Sequence, residues 1–287
     1  MTETEPVFEI RLLTPADIPD CMRLKEQCGW NQLEADWERF LEWCPEGCFG
    51  ADYEGRIVGT ATALSYGRDL SWIGLVMVDP DFRRHGLGKR LTEAALTKAR
   101  ECRCVGLDAT PMGQGIYERL GFLEAWMLKR TVIEALPALP APGAAVTPLT
   151  AEDLPAAVAL DREILGVERA DLFAVLLRDD PACAWALREG GELRACCLGR
   201  AGSSFHYLGP VLAETTEQVW ALLCAAGQGL AGQPVALDVP QAQLGWRNLL
   251  DEHGFAEQRS LVRMYFHGHA PETLRERLFG LAGGELG

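Results

Sequence analysis

The sequence has few basic residues for its length, and this shortage argues against several classes of partner. Its 287 residues include 27 lysines and arginines against 41 aspartates and glutamates, a formal net charge of −14. General nucleic-acid binding needs a basic face that attracts the phosphate backbone. We therefore expect no nucleic-acid partner. The acidity serves either to keep the protein in solution or, more weakly, to steer cationic substrates toward it.

Long apolar runs are also missing. No stretch approaches the ~20 consecutive apolar residues that cross a bilayer as a helix. The acidic, polar stretch from Met1 to Pro6 lacks the apolar core of a secretory signal. These two absences predict a cytoplasmic protein with no membrane partner.

The ten cysteines lack the spacing of a metal site or of a disulfide framework. Cys102 and Cys104 are separated by one residue, Cys196 and Cys197 by none, and no histidines stand at zinc-finger spacing. Most cysteines fall within apolar runs, where a reduced cysteine behaves as a small hydrophobic side chain. We expect no metal ion.

The sequence does have enough apolar residues, 48%, to form the cores of two domains. It also contains an internal duplication. The stretch "PVALDVPQAQLGWRNLLDEHGF" in the second half echoes "CVGLDATPMGQGIYERLGF" in the first. Both contain Leu-Asp, then a proline, then a predicted helix that ends in Gly-Phe. Between the halves, Glu134 to Leu149 contains four prolines, which is the composition of a linker.

A glycine-rich turn follows the apolar strand "LSWIGLVMV" and precedes an amphipathic helix. Gly86 and Gly88 let backbone N–H groups approach an anion, and the positive end of the helix dipole adds to the attraction. Arg84, His85 and Lys89 bring positive charge to the same turn. The pattern indicates a phosphate cradle, and the alternative is an ordinary strand–helix connection with solvated charges.

Two familiar phosphate loops do not fit this turn. A Walker loop needs a glycine where Arg83 stands and a hydroxyl residue where Arg90 follows the lysine. A dinucleotide-binding fingerprint needs a third glycine where Leu91 stands, although Asp108 lies at the distance expected of a ribose carboxylate.

The turn instead resembles the Q/R-x-x-G-x-G/A motif of the GCN5-related N-acetyltransferase (GNAT) superfamily, here Arg83-x-x-Gly86-x-Gly88. Tyr117-x-x-x-Gly121-Phe122 matches a second motif of that superfamily, and the order of predicted elements in residues 7–135 is the same. The second half resembles the degenerate C-terminal domain of some bacterial two-domain members.

This resemblance implies an α/β (α+β) fold with tandem GNAT-like domains, each a mixed, mostly antiparallel sheet flanked by helices. We divide the chain into a catalytic GNAT domain (1–135), a proline- and alanine-rich linker (136–148), a degenerate GNAT-like domain (149–270) and a C-terminal helix or tail (271–287).

The resemblance also implies acetyl-CoA as cosubstrate, with its pyrophosphate on the turn and its pantetheine arm added along the preceding strand like an extra strand. The implied coenzyme-binding residues are Val76, Met77, Val78, Arg83, Arg84, His85, Gly86, Leu87, Gly88 and Lys89. Tyr117 matches the superfamily's usual general acid, since a phenol of ordinary pKa ~10 stays protonated at neutral pH. The structural alternative is a tyrosine that only packs in the core.

The residues around the acceptor are less well defined by the sequence. We expect Trp30, Asn31 and Asp238 at the acceptor site, with Arg200 a further pocket residue, although a packing tryptophan and a structural salt link are equally consistent. The candidate acceptors of the amine proton are Glu26, Glu34, Asp36 and Asp108, and transfer to water is the alternative.

The second half lacks the chemistry of a coenzyme site. The segment "PVLAETTEQVW" replaces the cradle, without a glycine pair or a basic residue, and Glu214 and Glu217 would repel phosphate. No tyrosine stands at the position that matches Tyr117. We therefore predict a single coenzyme site and a second half that closes over the acceptor pocket.

The leading hypothesis is an N-acetyltransferase in which a primary amine, best a small molecule, attacks acetyl-CoA directly in a ternary complex. The alternatives are a non-catalytic acyl-CoA-binding sensor, and a transferase that uses another acyl-CoA or a protein amine. A monomer and a homodimer are both consistent with the sequence.

Overall fold

A computed structural model describes residues 6–143 and 145–287. They form one continuous 13-stranded sheet that is flanked by helices. The strands are β1 (Glu9–Leu12), β2 (Cys48–Tyr53), β3 (Arg56–Tyr66), β4 (Leu70–Val78), β5 (Cys104–Ala109), β6 (Phe122–Ile133), β7 (Val146–Pro148), β8 (Trp185–Glu189), β9 (Glu192–Arg200), β10 (His206–Leu212), β11 (Val235–Pro240), β12 (Ala256–Phe266) and β13 (Leu278–Gly280). The helices are α1 (Ile18–Cys28), α2 (Glu34–Trp43), α3 (Leu87–Ala99), α4 (Pro111–Arg119), α5 (Leu154–Leu165), α6 (Ala170–Asp179), α7 (Thr216–Gly227) and α8 (Leu244–Glu252). Within the described ranges, no helix is both long and apolar enough to cross a membrane.

The internal duplication is visible in matching local structures. Thr14 and Thr150 each precede a short 3-10 turn, and each bonds through its backbone N–H and hydroxyl to an aspartate three residues later, Asp17 or Asp153. These capping boxes fix the starts of α1 and α5. The apolar core also runs through both halves, because Trp72 of β4 and Leu212 of β10 belong to the same buried cluster.

The two halves share the sheet by exchanging their last long strands. The order is β1-β2-β3-β4-β5-β12-β6-β11-β10-β9-β8-β7, with β13 beside β10. Thus β12 of the second half lies against β5 of the first, and β6 of the first lies against β11 of the second. Neighbours are antiparallel except for β4–β5 and β10–β11, which confirms the predicted mixed, mostly antiparallel sheet.

Two equivalent buried ion pairs hold the exchanged strands in place. Arg263 on β12 donates to both carboxylate oxygens of Asp108 on β5, at 2.8 Å each. Arg130 on β6 donates to both oxygens of Asp238 on β11, at 2.7 and 2.6 Å. Both aspartates come from the repeated Leu-Asp motif. Each half therefore supplies the carboxylate that holds the other half's exchanged strand.

The structure changes two details of the predicted division. The end of the predicted linker forms β7, which pairs with β8. Residues 271–287 form no α-helix: they make a 3-10 turn at Arg275–Arg277, then β13, and then an irregular segment, 281–287.

Segment 281–287 passes between the halves and packs against β3 and β4. The indole N–H of Trp72 donates to the carbonyl of Gly284 at 2.9 Å, and the Tyr66 hydroxyl donates to that of Leu286 at 2.6 Å. A side chain at Gly74 would place its Cβ only 2.8 Å from the Cα of Glu285, so glycine is required for this close approach.

Breaking one of the two exchange-locking pairs should destabilise the whole protein. We expect Asp238→Asn to lower the free energy of unfolding by about 3–5 kcal/mol, because it leaves Arg130 buried without a counterion. The double variant Arg130→Met, Asp238→Leu should recover much of this loss. Urea denaturation followed by circular dichroism measures both. Arg162→Gln, in an exposed pair with Glu168, is the control and should cost less than about 1 kcal/mol. A similarly small loss in Asp238→Asn would contradict the assignment.

Candidate active site

The first half opens a cleft where β4 and β5 separate. These parallel strands pair only from Leu70 with Cys104 to Trp72 with Gly106. Beyond that point the register of β4 against β3 shifts, and Leu75 adopts a positive φ of 48°. The Thr60 hydroxyl donates to the Leu75 carbonyl at 2.7 Å and so holds this bulge. The end of β4 is therefore free to face the cleft.

The glycine-rich turn lies at the mouth of the same cleft. Gly86 has a φ of 74° and immediately precedes α3, with no side chain capping the helix. Among the described residues, none of the six backbone N–H groups from Arg84 to Lys89 donates to another backbone oxygen. Such a run of free N–H groups at a helix N-terminus is an anion-binding arrangement.

One cavity of about 960 Å³ joins the strand end, the turn and helix α4. Its walls include nine of the ten residues predicted to bind coenzyme, and Tyr117. These nine are Val76, Met77, Val78, Arg83, Arg84, Gly86, Leu87, Gly88 and Lys89. The tenth, His85, lies outside this wall and packs its ring 5.5 Å from that of Phe8, so we assign it to support of the turn.

Tyr117 combines a packing role with a place in the cleft. Its ring meets that of Phe122 edge-on at 6.2 Å between centroids. Burial raises the pKa of its hydroxyl to about 12. The phenol is therefore protonated across the physiological range and is able to donate a proton, not to accept one.

A small pocket of about 40 Å³, lined mainly by polar residues, adjoins the large cleft, and both halves contribute to it. Trp30, Thr110 and Arg259 line both cavities and mark their boundary. The remaining walls of this pocket, which we call the acceptor pocket, are Asn31, Gln32, Asp108, Arg130, Arg200, Leu261, Gly284 and Glu285.

Of the three residues predicted at the acceptor site, Trp30 and Asn31 line the acceptor pocket and Asp238 does not. The amide of Asn31 is already engaged with the second half: it donates to the Phe205 carbonyl at 3.0 Å and accepts from the backbone N–H groups of Ser204 and Phe205. The Asp238 carboxylate lies behind the wall, held by Arg130. Although burial raises the pKa of Asp238, the adjacent Arg130 outweighs it and lowers the pKa overall.

The four candidate proton acceptors differ in whether they reach either cavity. Glu26 and Glu34 are exposed and line neither cavity. Asp36 is bound to Arg200 at 3.2 Å and to Arg39 at 2.9 Å. Asp108 alone of the four lines the acceptor pocket.

Sequence reasoning missed seven of the eleven acceptor-pocket residues, among them Gln32, Arg259 and Glu285. Gln32 is 2% exposed. Glu285 contacts Arg200 as an ion pair, and Arg259 arrives on the exchanged strand β12. Gln32 adjoins the predicted Trp30 and Asn31, so its position was the one signal available. Nothing local in the sequence indicates that β12 and segment 281–287 reach the first half's site.

The matching region of the second half is filled. There β10 and β11 pair only at His206 with Val235 and Tyr207 with Ala236, and β13 occupies the gap that follows by pairing with β10. The N-terminus of α7 is capped by its own sequence, since the Thr215 side chain accepts from the backbone N–H of Gln218. Neither an open strand edge nor an uncapped helix start is present there.

Comparisons with known proteins agree with this architecture. A sequence profile described as acetyltransferase (GNAT) family matches residues 18–122, and one described as acetyltransferase (GNAT) domain matches residues 157–280. The chain is 25% identical over 268 residues to the uncharacterized N-acetyltransferase YitH of Bacillus subtilis, covering 92% of this chain and 94% of that protein. It is 27% identical over 263 residues to a holothin acyltransferase of Pseudoalteromonas sp., covering 90% and 87%.

Solved structures share the fold over the whole chain. A putative acetyltransferase from Pyrococcus horikoshii superposes with a TM-score of 0.82 at 21% identity, covering 99% of both chains. A tandem GNAT protein from the clavulanic acid biosynthesis pathway gives a TM-score of 0.64 at 13% identity, covering 90% of this chain and 98% of that one.

The N-terminus of α3 is uncapped and that of α7 is capped, and this difference predicts one coenzyme site per chain. We expect isothermal titration calorimetry with CoA to give a stoichiometry of one, and Gly88→Glu to remove the binding heat because it places a carboxylate among the free N–H groups. Glu217→Gln, at the start of α7, is the matched control and should leave binding unchanged. Two sites, or undiminished binding by Gly88→Glu, would contradict this assignment.

Proposed function

Because this chain belongs to the acetyltransferase (GNAT) family, with one domain of that family in each half, we propose that it transfers an acetyl group from acetyl-CoA to a primary amine of a small molecule. The observation that carries the proposal is the large cleft. It brings together a turn with free backbone N–H groups, an open strand edge and a protonated phenol.

The residues of the cleft match the parts of coenzyme A. Free N–H groups from Arg84 to Lys89 suit its pyrophosphate, and the exposed side chains of Arg84 and Lys89 add charge-assisted contacts. The end of β4, from Val76 to Val78, offers its backbone to the amide groups of the pantetheine arm. A backbone N–H of this bulged strand is also available to the oxyanion that forms at the thioester carbonyl.

In the proposed reaction, the neutral amine attacks the thioester carbonyl, a C–N bond forms, and the C–S bond breaks. Tyr117 gives its proton to the departing thiolate. The proton released by the amine goes to a carboxylate of the acceptor pocket, Asp108 or Glu285, or to water. Burial of Tyr117 suits its role, because it keeps the hydroxyl protonated until the thiolate appears.

The acceptor pocket favours a small acceptor over an amine on a protein surface. It is walled by the loop after α1, by β12 of the second half and by segment 281–287. The contacts of Asn31 with Ser204 and Phe205 hold the loop after α1 against the second half. Similarity to a protein named as a holothin acyltransferase supports transfer of an acyl group.

The test is turnover of acetyl-CoA with a panel of small amines, followed through release of free thiol. We expect Tyr117→Phe to lower kcat by about 10²–10⁴-fold, since the thiolate loses its proton donor, with CoA affinity unchanged. Tyr53→Phe is the matched control, because Tyr53 packs on Phe8 outside the cleft. Tight CoA binding without turnover of any amine would instead identify a sensor.

The pH dependence should follow the acceptor amine and not the tyrosine. Only a protonated Tyr117 donates, and its pKa of about 12 keeps it protonated throughout the usual assay range. We therefore expect kcat/KM to rise from pH ~6 toward the pKa of the amine, without a descending limb below pH ~10. A descending limb near pH 9 that disappears in Tyr117→Phe would contradict the raised pKa of Tyr117.

A further inference from the structure

Arg259 is a cation without a counterion at the boundary of the two cavities. Its side chain is half-buried and lines both the large cleft and the acceptor pocket. Among the described residues its Nε has no hydrogen-bond partner, and Arg259 takes part in none of the ion pairs that bind the neighbouring arginines. It stands opposite Arg130 across the β6–β12 ladder, so the nearest charged neighbour along the ladder is also positive.

The other buried arginines nearby are neutralised. Arg130 is bound by Asp238, Arg263 by Asp108, and Arg200 by Asp36 and Glu285. Burial and, to a smaller extent, the charge of Arg130 lower the pKa of Arg259, and the carboxylates of Asp238 and Glu285 offset this effect only in part. A half-buried guanidinium that no carboxylate binds is stabilised when an anion binds it.

The adjacent wall has further unused hydrogen-bonding capacity. Gln32, only 2% exposed, has a side-chain oxygen without a partner among the described residues, and the Nε of Arg200 also lacks one. Buried polar atoms are normally paired in native proteins. Their presence in the wall of the acceptor pocket indicates that a polar ligand completes the arrangement.

We propose that Arg259 binds a carboxylate that one of the two substrates brings to the acceptor pocket. The planar guanidinium suits a carboxylate in a two-point contact. Asp108 and Glu285 in the same wall favour a singly charged group over a phosphate dianion. The group belongs either to the acceptor, which is then an amino acid or a related amino carboxylate, or to the acyl chain of a dicarboxylic acyl-CoA. This inference rests on the proposed acyl transfer.

Two matched comparisons test the proposal and distinguish these sources. On the acceptor side, amino acids are compared with the amines that result from their decarboxylation, using acetyl-CoA. On the donor side, succinyl-CoA is compared with propionyl-CoA, using one amine. In one of these two comparisons, we expect Arg259→Gln to lower kcat/KM about 10- to 100-fold for the substrate that carries the carboxylate, either the amino acid or succinyl-CoA. The kcat/KM of the matched substrate without the carboxylate should stay nearly unchanged.

Control variants separate recognition from general damage. Arg259→Lys keeps the charge without the two-point contact and should show a smaller loss. Arg194→Gln, which removes an exposed arginine from β9, should show none. Calorimetry with CoA should give the same affinity for Arg259→Gln and the native protein, because the coenzyme phosphates bind at the glycine-rich turn.

A binding measurement tests the site independently of turnover. Millimolar amino acids, or succinyl-CoA compared with CoA, should raise the melting temperature of the native protein but not that of Arg259→Gln. Equal losses of kcat/KM with and without a carboxylate, or loss of CoA binding, would overturn the proposal. Failure of the native protein to transfer any acyl group would overturn the proposed function, while a carboxylate-dependent melting shift would still support this site.

Discussion

The reciprocal exchange of β6 and β12 is the constraint on which the rest of the structure depends. Two bidentate Arg–Asp pairs, with aspartate side chains 1% exposed, fix the register of the exchanged strands. The same exchange carries Arg259 and Leu261, residues of the second half, to the acceptor pocket beside the cleft of the first. Because the sheet of each half contains a strand of the other half, this site is a property of the whole chain.

The two halves show how one fold gains or loses an anion-binding site through local changes. Both open a gap between parallel strands, because β4–β5 and β10–β11 each pair over only two or three residues. In the first half the gap is open and Gly86 leaves the helix start uncapped. In the second half β13 pairs with β10 in the gap, and Thr215 caps the helix. The second half, in which this gap is filled, instead contributes to the wall of the acceptor pocket.

How far the sequence predicts this structure depends on the distance along the chain between interacting residues. The glycine-rich turn and Tyr117 lie in short contiguous motifs, and nine of ten predicted coenzyme-binding residues line one cavity. The acceptor pocket combines residues from 30 to 285, which no local pattern links. Asp238 illustrates the limit: it is buried and functionally suggestive in type, but its partner, Arg130, lies 108 positions away.

Net charge is a poor guide to this site because the buried cations are neutralised one by one. Arg130, Arg169, Arg200 and Arg263 are each bound by carboxylates, so they contribute structure and little free potential. Among the described residues that line the cleft, Arg84 at the turn and Arg259 at the pocket boundary are two of the cations without such partners. A chain of charge −14 thereby presents positive potential at both ends of the cleft, and this local distribution, rather than the total, determines which anions it can hold.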